Sequence, residues 1–162
     1  PIKILNGNAG FKGRKGTLYE GGIRVPFIVN QPGMVPIQTL DNLIYFPDMM
    51  PTLAALAKGT KHLPKQINGI NILPLFYGKQ VDTDNRLLYW EFPGKQRAAR
   101  KGDWKCVTIH PNQPLELYNL KEDPEETNNL AKKYPRRVKE FDEEMQRMHI
   151  PTPNWPQPGE QF

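Results

Sequence analysis

The pattern of apolar and polar positions in this chain changes near residue 86. Before that point apolar residues form short runs, and the nearly continuous run at 23–30 predicts a strand buried on both faces, as in the interior of an α/β sheet. Over 48–57 the apolar residues recur at helical spacing, so we expect a helix there with Asp48 as its N-cap. The rest of the chain up to residue 86 predicts loops and connections.

After residue 86 the pattern changes. Residues 87–92 have high β-propensity and 115–120 alternate apolar with polar side chains, so these segments and the two between them predict four short strands in a small antiparallel sheet. The predicted strands are 87–92, 96–100, 103–109 and 115–120. Pro135 suits the first turn of a helix that runs to about His149 with an apolar stripe on one face. Residues 151–162 contain four prolines and are expected to run extended over the surface.

Composition and charge narrow the classes of partner. The chain has 162 residues, enough for one ordinary domain, and its 22 Lys and Arg against 17 Asp and Glu give a net charge of +5. A basic surface favours nucleic acids, anionic glycans or sulfate-bearing substrates. The cations are interleaved with acids and form no stripe, so we expect no nucleic-acid partner. No apolar run reaches the roughly 18 residues that a membrane-spanning helix needs.

The segment 10–33 carries the most distinctive chemistry, with six glycines, four cations and one carboxylate. Glycines let a backbone approach a ligand closely, so Lys15 and the backbone N–H groups around it can meet an anion together. The alternative is that Lys15 is a solvated loop lysine. We expect Glu20 to pair with a cation that holds the loop, and Arg24 is the candidate partner. The phosphate-loop pattern GxxxxGK[ST] does not occur.

The chain offers few residues for a complete hydrolytic site. Its single cysteine, Cys106, lies in a predicted strand and is expected to be a buried structural thiol. The histidines His62, His110 and His149 show no metal-ligand spacing, and no serine occurs in the sequence. We therefore expect no metal site and no self-contained hydrolase.

A series of motifs resembles the sulfatase family, especially its arylsulfatase-like members. In order, the motifs are KGTLYEGGIRVPFIVNQPG at 15–33, DMMPTLAALA at 48–57, NGINILPL at 68–75, RKGDWK at 100–105 and LYNLKEDPEETNNL at 117–130. The resemblance is to the C-terminal portion of such an enzyme. It implies the C-terminal part of an alkaline-phosphatase-like sulfatase fold of the α/β class, with the small four-stranded antiparallel sheet and a packed C-terminal helix.

The same resemblance divides the chain into three regions. Residues 1–85 would be the incomplete end of the catalytic α/β domain. Residues 86–150 would form the antiparallel-sheet subdomain, and residues 151–162 the extended Pro-rich tail. The run at 24–30 would then belong to a large sheet whose other strands lie outside this chain.

The resemblance implies only part of a catalytic site. The family hydrolyses sulfate esters with a formylglycine made from the Cys or Ser of a C/S-x-P-x-R motif, beside a calcium ion. Neither that motif nor the family's paired aspartates occurs here, so calcium and formylglycine are implied for the full-length family and not within this chain. Lys15 matches the family lysine that contacts the sulfate group. Glu20 matches a glutamate that supports the site, and Arg24 is assigned the same supporting role.

The stretch from Trp90 to Arg97 corresponds to a region where related enzymes can reach the substrate pocket. Glu91 and Lys95 are therefore candidate substrate-binding residues. The alternative is that Trp90 packs in the core and that the charged side chains are solvated.

The predicted function is that of the C-terminal portion of a sulfuric ester hydrolase that is inactive alone. Its implied partners are a sulfated small molecule or glycan and the N-terminal sulfatase region. Pro1 is preceded by no initiator methionine or signal-peptide pattern, so we expect the chain to be cut from a longer one. The alternatives are a non-catalytic module that binds anionic glycans and a truncated structural remnant. The sequence fixes no compartment.

Overall fold

The computed structural model of the chain describes residues 7–92, 96–110, 112–154, 156 and 160–161. The chain forms two compact units, one made of Pro1–Val25 with Leu87–Phe162 and the other of Pro26–Arg86. In chain order the elements are α1 (Glu20–Ile23), α2 (Met49–Leu56), α3 (Leu73–Phe76), β1 (Leu87–Phe92), β2 (Gln96–Lys101), β3 (Trp104–Thr108), β4 (Glu116–Asn119) and α4 (Pro135–Met148). Short 3-10 helices occur at Phe46–Asp48 and Thr60–His62.

The four predicted strands are confirmed as one antiparallel sheet. The strand order is β1-β2-β3-β4, so each strand pairs with its neighbour in sequence. In this register Ala99 lies opposite both Tyr89 and Cys106, and Cys106 lies opposite Leu117. Because side chains of a strand point alternately to the two faces, this register divides the sheet residues into two sets.

One face of the sheet is covered by the segment that contains Leu18 and Tyr19. These residues pack with Ala98, Val107 and Tyr118, and we call this side the loop face. All five of these side chains are buried.

The opposite face is covered by α4 and is called the helix face. Phe141 and Met145 of α4 pack on Ala99, Cys106 and Leu117. The predicted helix and its apolar stripe are confirmed, with Pro135 in the first turn. Cys106 is completely buried, as expected, and burial raises its thiol pKa to about 12.

In the unit Pro26–Arg86, α2 begins next to Asp48 as predicted. The carboxylate of Asp48 does not cap the helix, however. It is fully buried, and it accepts a hydrogen bond of 2.6 Å from Arg86 and bonds of 2.9 Å from the backbone N–H groups of Tyr45 and Ile70. Asp48 therefore joins three separate parts of this unit, a role that the local capping pattern did not indicate.

The buried strand predicted at 23–30 is not present among the described residues. Val25 is 74% exposed and Ile28 is 87% exposed. The described residues of Pro26–Arg86 form helices and connections and no strand that could pair with this run, and no backbone–backbone hydrogen bond joins residues 25–30 to any described part of the chain. The apolar side chains of Val25, Phe27 and Ile28 in this run consequently remain exposed to solvent.

Two helical turns fall where loops were expected. The first, α1, occupies the Tyr19–Arg24 region, where Arg24 N–H donates to the Glu20 carbonyl at 2.8 Å. The second, α3, has Pro74 in its first turn and lies in the predicted connection 59–86. Neither has enough residues for an amphipathic period to appear in the sequence.

Candidate functional site

Lys15 lies at an exposed turn at the edge of the loop face. The turn is closed by a hydrogen bond from Thr17 N–H to the Arg14 carbonyl at 3.0 Å. Gly13 and Gly16 flank it with φ of +84° and +90°, a backbone region that other residues rarely adopt. Among the described residues, none makes a hydrogen bond or ion pair with the Lys15 side chain. Its ammonium group is therefore available to a ligand.

Lys12, on the N-terminal side of the turn, is bound to the sheet. Its ammonium group donates to Tyr118 Oη at 2.8 Å and to Glu116 Oε2 at 3.2 Å, and it lies 4.2 Å from the centre of the Tyr19 ring. Both tyrosine hydroxyls donate to Glu116 Oε2 at 2.7 Å. Burial raises the pKa of Glu116. These hydrogen bonds and the Lys12 charge lower it by more than burial raises it, so the net pKa lies below its ordinary value.

Gln96, the first residue of β2, holds the C-terminal side of the turn. Its amide N–H donates to the Gly16 carbonyl at 2.9 Å, and its amide oxygen accepts from Leu18 N–H at 3.3 Å. Phe92, the last residue of β1, also lies near this point, because a Cβ added at Gly16 would sit 4.0 Å from its ring. The ends of β1 and β2 thus meet the residue that follows Lys15.

A buried ionic cluster lies under the helical turn α1. The ammonium group of Lys105 is 2.8 Å from Glu20 and 2.9 Å from Glu126, and all three side chains are almost completely buried. Glu126 also accepts from the Glu20 backbone N–H at 2.7 Å. Burial is the largest influence on Glu126 and raises the pKa of its carboxyl group despite the nearby Lys105 charge.

Two arginines extend this cluster toward solvent. Arg24 lies 3.9 Å from Glu20, as the sequence led us to expect, and Arg100 lies 3.8 Å from the same carboxylate. Arg24 is half exposed and also stacks on the Phe11 ring at 4.7 Å. Glu20 is therefore a junction between the loop and the sheet.

The glycine pair after Glu20 permits the close packing of this loop. A Cβ added at Gly22 would lie 2.0 Å from the Thr17 carbonyl oxygen, and one at Gly21 would lie 2.6 Å from that of Lys12. No side chain fits at either distance without movement of the backbone. These two glycines therefore serve packing within the loop, and the three at 10, 13 and 16 serve its turns.

The structure does not bring Glu91 together with Lys15. Glu91 lies on the helix face, where it accepts a hydrogen bond from Tyr89, and its carboxylate lies 2.5 Å from Nδ1 of His149. Its predicted contact with substrate stays a prediction. Lys95 lies outside the described residues. Trp90, the neighbour of Glu91, packs against the loop-face core, in line with the alternative interpretation.

His149 was not expected to have a particular role, yet it joins two carboxylates. Its Nδ1 faces Glu91, and its Nε2 lies 2.7 Å from Glu160 in the C-terminal tail. Burial lowers the pKa of His149, but the two carboxylates raise it more, and the net pKa is above the ordinary value. The residues that meet here are far apart in sequence, so no local pattern could have indicated it.

The described residues contain no group of three or more His, Cys, Asp and Glu side chains that could hold a metal ion. Cys106 is buried and is followed by Val107 and Thr108, so it fits neither the formylglycine motif nor a reactive nucleophile. Within the same part of the chain, no helix is both long and apolar enough to cross a membrane.

Comparison with known proteins identifies the fold. A solved structure from work on the metabolism of multiple glycosaminoglycans by Bacteroides thetaiotaomicron is 28% identical, with a TM-score of 0.74 over 90% of this chain and 34% of the solved one. A crystal structure of Ps i-CgsB in complex with k-i-k-neocarrahexaose is 25% identical, with a TM-score of 0.75 over 91% and 34%. The predicted α/β sulfatase fold, with its antiparallel sheet and C-terminal helix, is confirmed.

Sequence comparisons agree. A sulfatase from Formosa agariphila is 32% identical over 160 residues, which cover 83% of this chain and 29% of the relative. The chain thus spans about a third or less of the length of these proteins. The family model described as N-sulphoglucosamine sulphohydrolase, C-terminal, matches residues 7–150. The chain therefore belongs to the sulfatase family, whose C-terminal region it represents.

Proposed function

We propose that this chain supplies the sulfate-contacting edge of an enzyme that hydrolyses sulfate esters. The observation that carries the proposal is the contrast between Lys15 and Lys12. Lys12 is engaged with Glu116 and Tyr118, whereas Lys15 is exposed and has no partner among the described residues. A lysine on an anchored turn, whose ammonium group makes no ion pair with the described residues, is suited to bind an anionic substrate.

The proposed task of Lys15 is electrostatic. Its ammonium group would attract a sulfate oxygen and stabilise the negative charge that develops as the ester bond breaks. Glu20 and Arg24 would support this role indirectly, since Glu20 ties the end of the loop to Lys105 and Arg24 lies beside it. Arg14 is also exposed, so the choice of Lys15 rests on its match to the family lysine.

The nucleophile and metal must come from another region. The residues of this chain do not fit a formylglycine or a calcium site, because Cys106 lacks the motif and the described acidic residues form no ligand cluster. In the parent enzyme, calcium and formylglycine would supply Lewis-acid and nucleophilic chemistry. We accordingly propose that the isolated chain does not hydrolyse sulfate esters.

The partner that completes the site would be an N-terminal sulfatase region. Two observations support this. The matched relatives have about two-thirds or more of their length outside the region that this chain matches. The run at 25–30 exposes apolar side chains and unpaired backbone groups, which is the surface that an adjoining strand would cover.

For the substrate we propose a sulfated carbohydrate. One structural relative is described in complex with k-i-k-neocarrahexaose, and another in connection with glycosaminoglycan metabolism. A non-catalytic module for anionic glycans is the alternative that the experiment below separates.

The test uses two proteins, the 162-residue chain and a chimaera in which it replaces the matching region of the Formosa agariphila sulfatase. Hydrolysis of 4-nitrophenyl sulfate is expected from the chimaera and not from the isolated chain. In the chimaera, Lys15→Ala should lower kcat about 10²- to 10³-fold, the range typical for loss of one charge-stabilising group. Lys121→Ala, at another exposed lysine, is the matched control.

Three outcomes would count against the proposal. Hydrolysis by the isolated chain would overturn its inactivity, and full activity of Lys15→Ala in the chimaera would remove Lys15 from the site. Lys15-dependent binding of a sulfated glycan by the isolated chain, together with a folded but inactive chimaera, would favour the binding module.

A further inference from the structure

The side chain of Gln96 is placed to control the geometry of the Lys15 turn. It is 9% exposed, and both ends of its amide group are used. The N–H end donates to the Gly16 carbonyl, and the oxygen accepts from Leu18 N–H, so the amide spans residues 16–18 as a neighbouring strand would. These two bonds lie directly C-terminal to Lys15.

The Gly16 carbonyl needs such a partner because of the backbone around it. Gly16 has φ of +90°, and among the described residues the bonds that close the turn internally run between Thr17 and Arg14. The peptide unit after Gly16 is held at both ends, because its N–H, that of Thr17, donates to the Arg14 carbonyl inside the turn and its carbonyl oxygen accepts from Gln96 outside it. Without the Gln96 bond the dihedral angles of Gly16, which no Cβ restricts, are free to change, and with them the direction of the neighbouring Lys15 side chain, for which the described residues provide no hydrogen bond or ion pair.

Gln96 is not one of the contacts that carry the fold. The loop is tied to the sheet independently at Lys12, through Glu116, and at Glu20, through Lys105. The sheet register is maintained by backbone bonds along β2, which a changed side chain at its first position leaves in place. Loss of the Gln96 amide should thus loosen residues 15–18 and leave the rest of the unit intact.

We infer that Gln96 is a positioning residue for Lys15, which it serves by holding the Gly16–Leu18 backbone. The inference rests on the proposed function of Lys15. The likeness to sulfatases placed the stretch Trp90–Arg97 near the substrate pocket, and the inference adds a specific positioning role for Gln96 within it. Gln96 touches no substrate in this scheme. It acts by limiting the positions that the Lys15 ammonium group can take up.

The experiment is a sodium sulfate titration of the 162-residue chain, followed by NMR through the Lys15, Gly16 and Thr17 amides, with sodium chloride at matched ionic strength as control. Gln96→Met keeps the side-chain length without the amide. Its apparent Kd for sulfate should rise about three- to tenfold, as expected for one or two lost neutral hydrogen bonds. The β3 and β4 amide shifts should be unchanged.

A second variant gives a readout that a merely structural residue would not alter. In Gln96→Glu the ionised carboxylate cannot donate to the Gly16 carbonyl, whereas the protonated carboxyl group can donate and accept as the amide does. Sulfate affinity of this variant should therefore recover toward that of the wild type as pH falls through the titration of the new group. The wild type, measured in parallel, should not show this recovery.

The two levels of the inference fail in different ways. If wild type and Lys15→Ala respond equally to sulfate, the proposed role of Lys15 is wrong. If the wild type responds to sulfate through Lys15, and both Gln96 variants bind sulfate as tightly as the wild type does at every pH, the positioning role of Gln96 is wrong. Should Gln96→Met lose its fold, the pH profile of Gln96→Glu decides.

Discussion

The ammonium nitrogen of Lys105 lies 2.8 Å from Glu20 Oε1, at a position in the sheet that is completely closed to solvent. A buried lysine is costly unless it is paired, and Lys105 is paired twice, because Glu126 lies 2.9 Å away. The pair joins the end of the Lys15 loop to the middle of β3. It makes the loop part of the folded unit instead of an appendage.

Removal of Lys105 should therefore be strongly destabilising. We expect Lys105→Met to lower the free energy of unfolding by about 3–5 kcal/mol, since it leaves Glu20 and Glu126 buried without their shared cation. Urea denaturation measures the change. Lys121→Met at an exposed position should stay within about 0.5 kcal/mol of the wild type. A loss below about 1 kcal/mol for Lys105→Met would contradict this prediction and would show that the carboxylates do not depend on Lys105, for instance because Arg100 supplies the charge at Glu20.

The Asp48–Arg86 pair should determine how the stability of the unit Pro26–Arg86 decreases at acid pH. Burial raises the Asp48 pKa, but the hydrogen bonds from Arg86 and two backbone N–H groups lower it more, so the net pKa is below its ordinary 3.8. Its contribution is present above the unfolded pKa and is lost as pH falls through the lower folded pKa. Asp48→Asn should cost about 3–5 kcal/mol at neutral pH and remove this acid dependence.

Amide hydrogen exchange of α2 residues at several pH values below 5 is the measurement for Asp48. Asp41→Asn changes an exposed carboxylate of the same unit and serves as the control. Equal acid dependence in Asp48→Asn and the wild type would contradict the assignment.

The contact between His149 and Glu160 should weaken at high pH. Because the two carboxylates raise the folded pKa of His149 above its ordinary 6.5, the stabilisation is fully present below 6.5 and is lost as pH rises through the higher folded value. NMR of the imidazole nitrogens gives the pKa, and a Glu160 side-chain probe reports the contact. His149→Gln should remove the pH dependence of that probe. A folded pKa at or below 6.5 would refute the prediction.

The exposed apolar run should make the isolated chain prone to self-association and to binding of hydrophobic dyes. Ile28→Asp changes a side chain that is 87% exposed, so the free energy of unfolding should move by no more than about 0.5 kcal/mol. Binding of the dye ANS and self-association in analytical ultracentrifugation should both decrease. In the chimaera with the Formosa agariphila region, the same change should impair assembly. Unchanged dye binding would mean that this run is not an adhesive surface.

Sequence reasoning succeeded where the signal is local. The β-propensity of six residues sufficed for β1, and Pro135 with the stripe through Phe141 sufficed for α4. The buried state of Cys106 followed from the expected alternation of faces within its own strand. In each case the pattern lies within one element, and the burial of one face is a direct consequence of the period.

The site was predictable only in part, because its contacts are non-local. Gln96 and Leu18 are 78 positions apart, and Lys105 and Glu20 are 85 apart. A lysine in a strand is ordinarily solvated, and no residue near Lys105 in sequence indicates that its ion-pair partners are two distant glutamates. The prediction of a buried strand at 23–30 was wrong for a related reason. An apolar pattern indicates that a segment is stabilised by burial, but the strand forms only where neighbouring strands are present to pair with it.

The two-sided sheet also has a consequence for how this region can change in length. Along β2 and β3, Ala98 and Lys105 face the loop, while Ala99 and Cys106 face the helix. One inserted or deleted residue inside either strand would exchange these sets and turn the lysine away from Glu20. Insertions and deletions should accordingly be tolerated in the turns between the strands and not within them. Inside a strand, substitutions are compatible with the fold, but a shift of register would move side chains from one face of the sheet to the other.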